Sequence, residues 1–487
     1  GFYQEDEEGR PFYQYGGDFD DKYSWSNFTL DGYCTSDGGH KPSWQELGTV
    51  LFPAYARVEN GDLLIKNTND FTFLPYTCAY EIKRDGEVIA GAPLSVADVA
   101  PRETFSCPCP AVPETPVPGA VYDLDVVFYE NGKEAMRKQF RLPDRANALP
   151  TQREPFAYTV RTDGDVLTVT GDDFCCAFTK GMLSSLEKDG KQRLAGAMKM
   201  NFYRAPTDND GIVNLFPRHI KEWNDHFLNV LEQDVRSVTL TEKEDRLVLT
   251  AVVKCIADTM WEGFDVKLVY EIMAHGVIFI NVEGTPFGTM PEILPRIGVV
   301  IPVPPAFDTV RWAGRGPGEN YPDEKTATTV GRYTLPVAKM NFLYDVPQET
   351  GNRENVRFVR LCDGDDALTV AAKDDFAFSC HDFTLENLTQ ACHRNELQKS
   401  PVNYLYVDYK MRGLGSLSCG VDPEPAYELY THAFRFCFTL SCADETAALQ
   451  LARTDFGAST EALSGHYQFN YETRKQEFLD CDEHEKK

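Results

Sequence analysis

Residues 237–282, SVTLTEKEDRLVLTAVVKCIADTMWEGFDVKLVYEIMAHGVIFINV, hold four apolar-rich segments separated by short polar breaks. Their many β-branched and aromatic residues predict strands at 237–241, 247–254, 264–273 and 277–282. Strands that follow one another so closely, with few helices between them, are typical of an antiparallel sheet and not of a parallel α/β sheet. This stretch therefore predicts a large antiparallel sandwich.

The same strand-rich pattern continues on both sides of this stretch. A Pro-bracketed polar segment at 143–155, in which the strand periodicity disappears, predicts a domain boundary. Before it, Asp85-Gly86 and Asn131-Gly132 supply the positive φ of tight hairpin turns in a smaller sandwich. The Pro-rich residues 108–118 predict an edge or a connecting loop, because Pro cannot donate to a strand ladder. The individual strands expected before the boundary are 62–67, 78–84, 87–90 and 121–129, and those expected after it include 158–162, 166–170 and 367–372.

Helices are expected at three places. One follows Pro42, from about Ser43, and another covers 443–453 ahead of a polar tail. The third lies in RHIKEWNDHFLNVLEQ, where one apolar face is predicted with charges opposite. The residues of that face are Ile220, Trp223, Phe227 and Leu231.

Charge and composition exclude several classes of protein. The formal charge of −27 and the pI near 4.7 argue against nucleic acid, since phosphate binding needs clustered Lys and Arg, and they favour a neutral substrate. No apolar run approaches the roughly 18 residues that a membrane span needs. The first residues, GFYQEDEEGR, lack the pattern of a secretory signal and suggest a cut or internal start. The 14 unevenly spaced Cys favour reduced thiols and a cytoplasmic protein.

The first 50 residues differ from both predicted sandwiches. They contain YGGDFDD at 15–21 and NFTLDG at 27–32. Gly beside Asp and Asn allows tight loops that present carboxylates and backbone carbonyls, which suit a hard cation or a sugar hydroxyl.

Six motifs together resemble the β-galactosidases of glycoside hydrolase family two. They match the order and spacing of the carboxyl-terminal half of that family, over nearly everything from Tyr15 to about Leu440. The motifs are YGGDF at 15–19, FTLDG at 28–32, RAPTDND at 204–210, GPGENYPD at 316–323, PQETGNR at 347–353 and RGLG at 412–415.

The resemblance implies a mainly β fold with a definite order of domains. A remnant of a (β/α)8 barrel is expected at 1–54, and an immunoglobulin-like β-sandwich at 55–146. A large antiparallel supersandwich resembling galactose-mutarotase domains is expected at 147–445, and a polar tail at 446–487.

The resemblance also implies that no catalytic residue lies on this chain. In the family the acid/base and nucleophile glutamates lie on barrel strands before the YGGDF motif. Physical arguments agree, because retaining hydrolysis needs two carboxyl groups about 5 Å apart on a rigid frame. Eight βα units take about 250 residues, far more than the first 50.

Four residues are the candidate site residues. Phe28 and Asp31 match the positions that bind an active-site sodium in the resembling family. The resemblance implies that Phe28 binds through its backbone carbonyl and Asp31 through its side chain, and magnesium is a second candidate cation. The alternative is that FTLDG is only a turn after a barrel strand. Asp18 and Asp208 are candidate sugar-binding acids, although carboxylates in such turns more often accept backbone N–H bonds.

The remaining residues singled out have structural interpretations. Glu319, Asn320 and Arg353 are expected to tie loops of the supersandwich together, and Trp312 is expected in the core. Gly420 stands where some family members carry a Trp that stacks on the sugar, which leaves the acceptor preference open. His381, His393 and His432 are expected as hydrogen-bonded sandwich residues.

The expected function is that of the carboxyl-terminal portion of a β-galactosidase, acting on a β-galactoside. Its partner is a missing amino-terminal barrel half or a large subunit, within a homo-oligomer. This interpretation predicts exposed apolar surface at residues 1–50. The alternative is a non-catalytic carbohydrate-binding or scaffolding sandwich protein. Mutarotase activity would need a His and a carboxylate converging on a sugar, and the sequence does not place such a pair.

Overall fold

The structure is a computed structural model that describes residues 1–487 except 21, 97, 144–145, 212–217, 258–260, 417–420, 459, 463–465, 471–474 and 480–487. The side chains of 461–487 are likewise not described. Strands dominate the described part of the chain. The predicted mainly β fold is confirmed. No described helix is both long and apolar enough to cross a membrane.

The first segment is a hairpin followed by two short helices. Strand β1 (Phe2–Glu5) pairs antiparallel with β2 (Pro11–Gln14). A 3-10 helix covers Ser26–Leu30, and α1 covers Pro42–Val50. Helix α1 begins at Pro42, one residue before the predicted start at about Ser43. Pro is well tolerated at the first helical position, because the amide there has no partner within the helix.

A small sandwich of two antiparallel sheets follows. One sheet has the order β3-β4-β7 and the other β6-β5-β8-β9. Leu63, Ile65, Val126 and Phe128 fill the space between them and are fully buried. Residues 109–121 contain no strand, as the Pro-rich composition predicts. The strands are β3 (Ala54–Glu59), β4 (Asp62–Asn67), β5 (Thr77–Arg84), β6 (Glu87–Leu94), β7 (Thr104–Pro108), β8 (Tyr122–Glu130) and β9 (Lys133–Arg141).

The remainder begins with a short pairing strand and a five-stranded sheet. The sheet has the order β11-β12-β13-β14-β15, and β10 pairs in parallel with a strand near residue 454. The strands are β10 (Leu149–Pro150), β11 (Thr159–Asp163), β12 (Val166–Thr170), β13 (Phe174–Thr179), β14 (Met182–Lys188) and β15 (Lys191–Gln192).

A 13-stranded sheet forms the largest part of the fold. Its central path is β16-β21-β26-β25-β27-β20-β19-β18-β17, while β22, β23, β24 and β29 pair beside this path. Its strands are β16 (Lys199–Asn201), β17 (Glu232–Glu242), β18 (Leu247–Ile256), β19 (Gly263–Ile272), β20 (Ile278–Phe287), β21 (Arg296–Val303), β22 (Thr309–Gly316), β23 (Thr329–Pro336), β24 (Arg353–Asp363), β25 (Asp366–His381), β26 (Asn403–Met411), β27 (Phe434–Ser441) and β29 (Glu461–Ala462). Outside this sheet, β28 (Thr454–Asp455) pairs with β10, and β30 (His466–Asn470) pairs with β31 (Lys475–Leu479). Three helices lie between them: α2 (Arg218–Asp225), α3 (Leu385–Gln390) and α4 (Glu445–Arg453).

The stretch 237–282 folds as the sequence predicts. All of β18 pairs antiparallel with β19, from Leu247 opposite Ile272 to Ile256 opposite Gly263. Every second residue of β18, beginning at Leu247, is buried, as expected for a strand with one face toward a core. Trp312 is also buried, and its ring N–H donates to the carbonyl of Arg315 at 2.9 Å.

The amphipathic helix is shorter than predicted. Helix α2 ends at Asp225, and Phe227 has φ 54°, a left-handed conformation that stops the helix. Ile220 and Trp223 are buried, and the Trp223 ring N–H donates to the carbonyl of Ile293. Phe227 is 37% exposed. Leu231 therefore lies beyond the helix, and only the first half of the predicted face is correct.

Candidate functional site

Three motifs, RAPTDND, RGLG and GPGENYPD, meet around buried charges. The carboxylate of Asp210 accepts from Arg204 at 2.9 Å and from Arg412 at 2.7 Å. All three side chains are fully buried. Burial alone would raise the pKa of Asp210, but the two guanidinium groups and the amide of Thr207 hold it below its ordinary value. Arg412 also pairs with Glu428 at 2.7 Å and Asp422 at 2.7 Å.

The RGLG turn is fixed by a second carboxylate. Asp323 accepts from the amides of Leu414 and Gly415, each at 2.9 Å. A Cβ at Gly413 would lie only 2.6 Å from the Asp323 carboxylate. Glycine at 413 is therefore what allows the carboxylate to approach the turn.

Glu319, Asn320 and Arg353 tie loops together, as predicted. Glu319 accepts from Tyr344 at 2.6 Å, and from the hydroxyl of Thr350 and the amide of Gly351, each at 2.7 Å. Asn320 accepts from the Glu354 amide at 2.8 Å. Arg353 donates to carbonyls of residues 317, 340 and 352.

Asp208 faces the first segment of the chain. The Asn27 amide group donates to both carboxylate oxygens of Asp208 at 2.9 Å, across 181 residues of sequence. Asn27 is 4% exposed. Burial raises the pKa of Asp208, and the hydrogen bond from Asn27 opposes this shift. The contact joins the NFTLDG turn to the RAPTDND loop.

Lys41 lies among the same acids. Its ammonium group donates to the carbonyl of Leu30, which stands between Phe28 and Asp31. Burial lowers the pKa of Lys41, while Asp208, Asp345 and Asp31 oppose this. The structure thus brings Asp31, Asp208 and the half-buried Lys41 together.

The oxygen donors of this turn suit a hard cation in chemical type. Among the described residues, however, no three His, Cys, Asp or Glu side chains cluster as a metal site. Any sodium here needs carbonyl ligands, such as that of Phe28, or ligands from outside the described residues.

Asp18 lies apart from that turn. Its carboxylate accepts from the Tyr15 amide at 2.9 Å and lies 2.8 Å from Nε2 of His393. The His393 ring also packs against Tyr15, with centroids 5.0 Å apart. Tyr15 in turn donates to the carbonyl of Cys392 at 2.8 Å. Asp18 and His393 therefore hold the YGGDF motif on the large sandwich.

The other two histidines are partnered within the sandwich. His381 is fully buried and its Nε2 lies 3.1 Å from the carbonyl of Thr350. Burial and the nearby Arg296 lower its pKa to about 3, so it is neutral. His432 Nδ1 lies 2.5 Å from the carbonyl of Tyr430. Gly420, where the family's Trp would stand, lies outside the described residues.

The first segment exposes many large apolar side chains. Tyr23 is 85% exposed, Trp25 70% and Phe2 68%. The set also includes Tyr3, Phe19, Tyr33, Val50 and Leu51. The predicted apolar exposure at residues 1–50 is confirmed. We call these eight residues the exposed apolar set.

Comparison with known families decides the relationship. The model of the β-galactosidase small chain matches residues 170–440, more than half of the chain. The chain belongs to that β-galactosidase family. The match covers the RAPTDND, GPGENYPD and RGLG motifs, whose buried contacts are described above.

Curated relatives extend the likeness beyond the family model. A β-galactosidase from Vibrio cholerae is 30% identical over 443 residues, which are 86% of this chain and 42% of the relative. One from Kluyveromyces lactis is 26% identical, over 88% of this chain and 41% of its own. The chain thus spans about two fifths of the length of these relatives.

One solved structure shows a more distant likeness. The Slr1438 protein from Synechocystis sp. PCC 6803 aligns with 61% of this chain and 99% of its own. The identity is 13% and the TM-score 0.28.

Sequence reasoning missed three contacts of this β-galactosidase-family site. Asn27 and His393 bind Asp208 and Asp18, which lie 181 and 375 residues away, whereas Lys41 donates to Leu30, 11 residues earlier. Lys41 alone had a local signal, since it directly precedes the Pro that begins α1.

Proposed function

We propose that this chain is the carboxyl-terminal portion of a β-galactosidase that hydrolyses terminal non-reducing β-D-galactose residues with retention. It supplies one wall of the active site and oligomer surface. The two catalytic glutamates belong to an amino-terminal part of the same protein or to a separate large subunit, because retention needs a closely held carboxyl pair.

The exposed apolar set is the observation that carries this proposal. Exposed aromatic side chains in such number are unusual on a monomer and mark a surface that another polypeptide covers. They lie in the same segment as Asn27, Asp31 and Lys41, beside the motif loops. The two-fifths coverage of the relatives leaves ample chain to form the covering part.

The four candidate site residues have proposed roles. Asp31 and the carbonyl of Phe28 would hold a sodium ion, which would orient a galactose hydroxyl. Asp208 positions the NFTLDG turn through Asn27. Asp18, away from that turn, holds the YGGDF motif through His393.

Reconstitution tests the proposal. The codons upstream of residue 1, or an adjacent reading frame, are read for a barrel, and that polypeptide is mixed with this chain. We expect no hydrolysis of nitrophenyl β-galactoside by either part and hydrolysis by the mixture. Turnover by the verified isolated chain would overturn the absence of the glutamates. An inactive mixture that still forms a complex would favour the non-catalytic carbohydrate-binding alternative.

A further inference from the structure

A cavity of about 430 Å³ lies between α1 and loops of the large sandwich. His40 and Trp44 form one wall, with their rings stacked at 4.4 Å and 15°. Glu324, Lys339 and Phe342 lie on the sandwich side. Ligand pockets commonly have volumes of about 300–1,000 Å³, so the space suits a small molecule.

Most charged groups of the cavity already have partners within the protein. Glu46 accepts from the amides of Thr326 and Ala327 at 2.9 and 2.7 Å. Glu319 and Arg353 are bonded to loop residues as described above. These groups build the wall of the cavity and hold α1 against the sandwich.

Two charged groups are left for a ligand. Within the described part of the chain, the Glu324 carboxyl and the Lys339 ammonium make no side-chain hydrogen bond or ion pair. Burial, with Glu319, Glu46 and Asp323 nearby, raises the pKa of Glu324 to about 8. Its carboxyl group is therefore neutral near pH 7 and can both donate and accept. Trp44 is 43% exposed and offers an aromatic face.

A neutral polyhydroxyl compound matches these groups best. An aromatic face packs against the C–H groups of a sugar ring, and a protonated carboxyl can bond two hydroxyls. The Lys339 ammonium group would repel a cation. Glu319, Glu46 and Asp323, which lie near Glu324, would repel an anion. We propose that this cavity binds a neutral saccharide of one or two rings, packed on Trp44 and hydrogen-bonded to Glu324.

This site differs from the one proposed for hydrolysis. None of Asp18, Asp31 and Asp208 lines the cavity, although Lys41 borders both places. Binding here requires only the described chain, so it is tested without the missing part. Failed reconstitution of hydrolysis would leave the saccharide titration unaffected.

The test titrates the isolated chain with D-galactose, D-glucose and lactose, and with D-galacturonate as an anionic probe. Calorimetry and tryptophan fluorescence report binding. We expect saturable binding of a neutral sugar at one site, and hydrogen-exchange protection confined to the segments that line the cavity, 40–46, 317–319, 324–342 and 353. Trp44→Ala should weaken the affinity about tenfold or more. Glu324→Ala should also weaken it.

Trp261→Ala is the matched control, because Trp261 is 86% exposed and does not line the cavity. Far-UV circular dichroism and the melting temperature establish that each variant folds. Three results would overturn the proposal: no saturable binding of any neutral sugar, equal weakening by Trp44→Ala and Trp261→Ala, or preference for galacturonate. Protection elsewhere in the chain would also overturn it.

Discussion

Asp210 is the residue on which the buried motif contacts depend. Replacing it with Ala leaves Arg204 and Arg412 buried around a missing charge. We expect the free energy of unfolding to fall by about 3–5 kcal/mol, measured by urea denaturation. Asp422→Asn is the matched control, since Asp422 pairs with the same Arg412 but is 42% exposed. Asp422→Asn should lower the free energy of unfolding by only about 0–1 kcal/mol. Equal losses in both variants would contradict this account.

Glu324 should give the protein a specific pH dependence. Its pKa is raised from 4.5 to about 8 by burial and by Glu319, Glu46 and Asp323. The folded state therefore binds more protons than the unfolded state between these values, and the free energy of unfolding falls as pH rises through this window. Glu324→Gln should remove about 4 kcal/mol of that fall between about pH 5 and about pH 9, at about 1.4 kcal/mol per pKa unit. Urea unfolding at about pH 5 and about pH 9 measures it.

Glu187→Gln is the control for this pH series, because Glu187 is exposed on β14. It should leave the difference between the two pH values unchanged. A Glu324→Gln variant with the slope of the parent chain would show that Glu324 is not protonated in the folded protein.

At the scale of elements, local sequence patterns predict strands well and their ends less well. The alternation of β18 is visible in the sequence because one face is buried. The early end of α2 is not visible in the sequence, because Phe227 adopts a left-handed conformation that is usually taken by Gly or Asn. The contacts of Asn27 with Asp208 and of Asp18 with His393 leave no local pattern either, because the partners are far apart in sequence.

Helix α4 offers a test of a single element. The Asp444 side chain caps it by accepting from the Ala447 amide at 2.8 Å, and Ala448 and Ala452 pack against the large sheet. Asp444→Ala should lower the free energy of unfolding by about 1 kcal/mol, because a helix amide loses its partner. Asp444→Asn should retain most of the stability of the parent chain, because Asn can also accept from the Ala447 amide. Equal effects of both substitutions, measured by urea denaturation, would contradict a capping role.

At the scale of the whole molecule, the family resemblance predicts the order of the motifs, while the structure adds what each motif contacts. Hydrogen bonds that Asn27 and Tyr15 donate, and one that Glu46 accepts from the Thr326 amide, anchor the first segment on the large sandwich. Its polar side is thus used within the chain, and its apolar side chains remain exposed. In the proposed function, this division lets the first segment join the large sandwich to the amino-terminal part.

The combined variant Tyr23→Ser, Trp25→Ser and Leu51→Gln tests that division. These side chains are at least 70% exposed, so the free energy of unfolding should change by no more than about 0.5 kcal/mol per site. Sedimentation velocity should show less self-association, because the variant exposes less apolar surface to water.

The same variant should bind the amino-terminal part more weakly and restore less hydrolysis. Val160→Ser and Val252→Ser, exposed valines of the sandwich, form the control. Full reconstitution by the triple variant would place the covering part elsewhere, whereas loss of reconstitution in the control would point to the sandwich face instead.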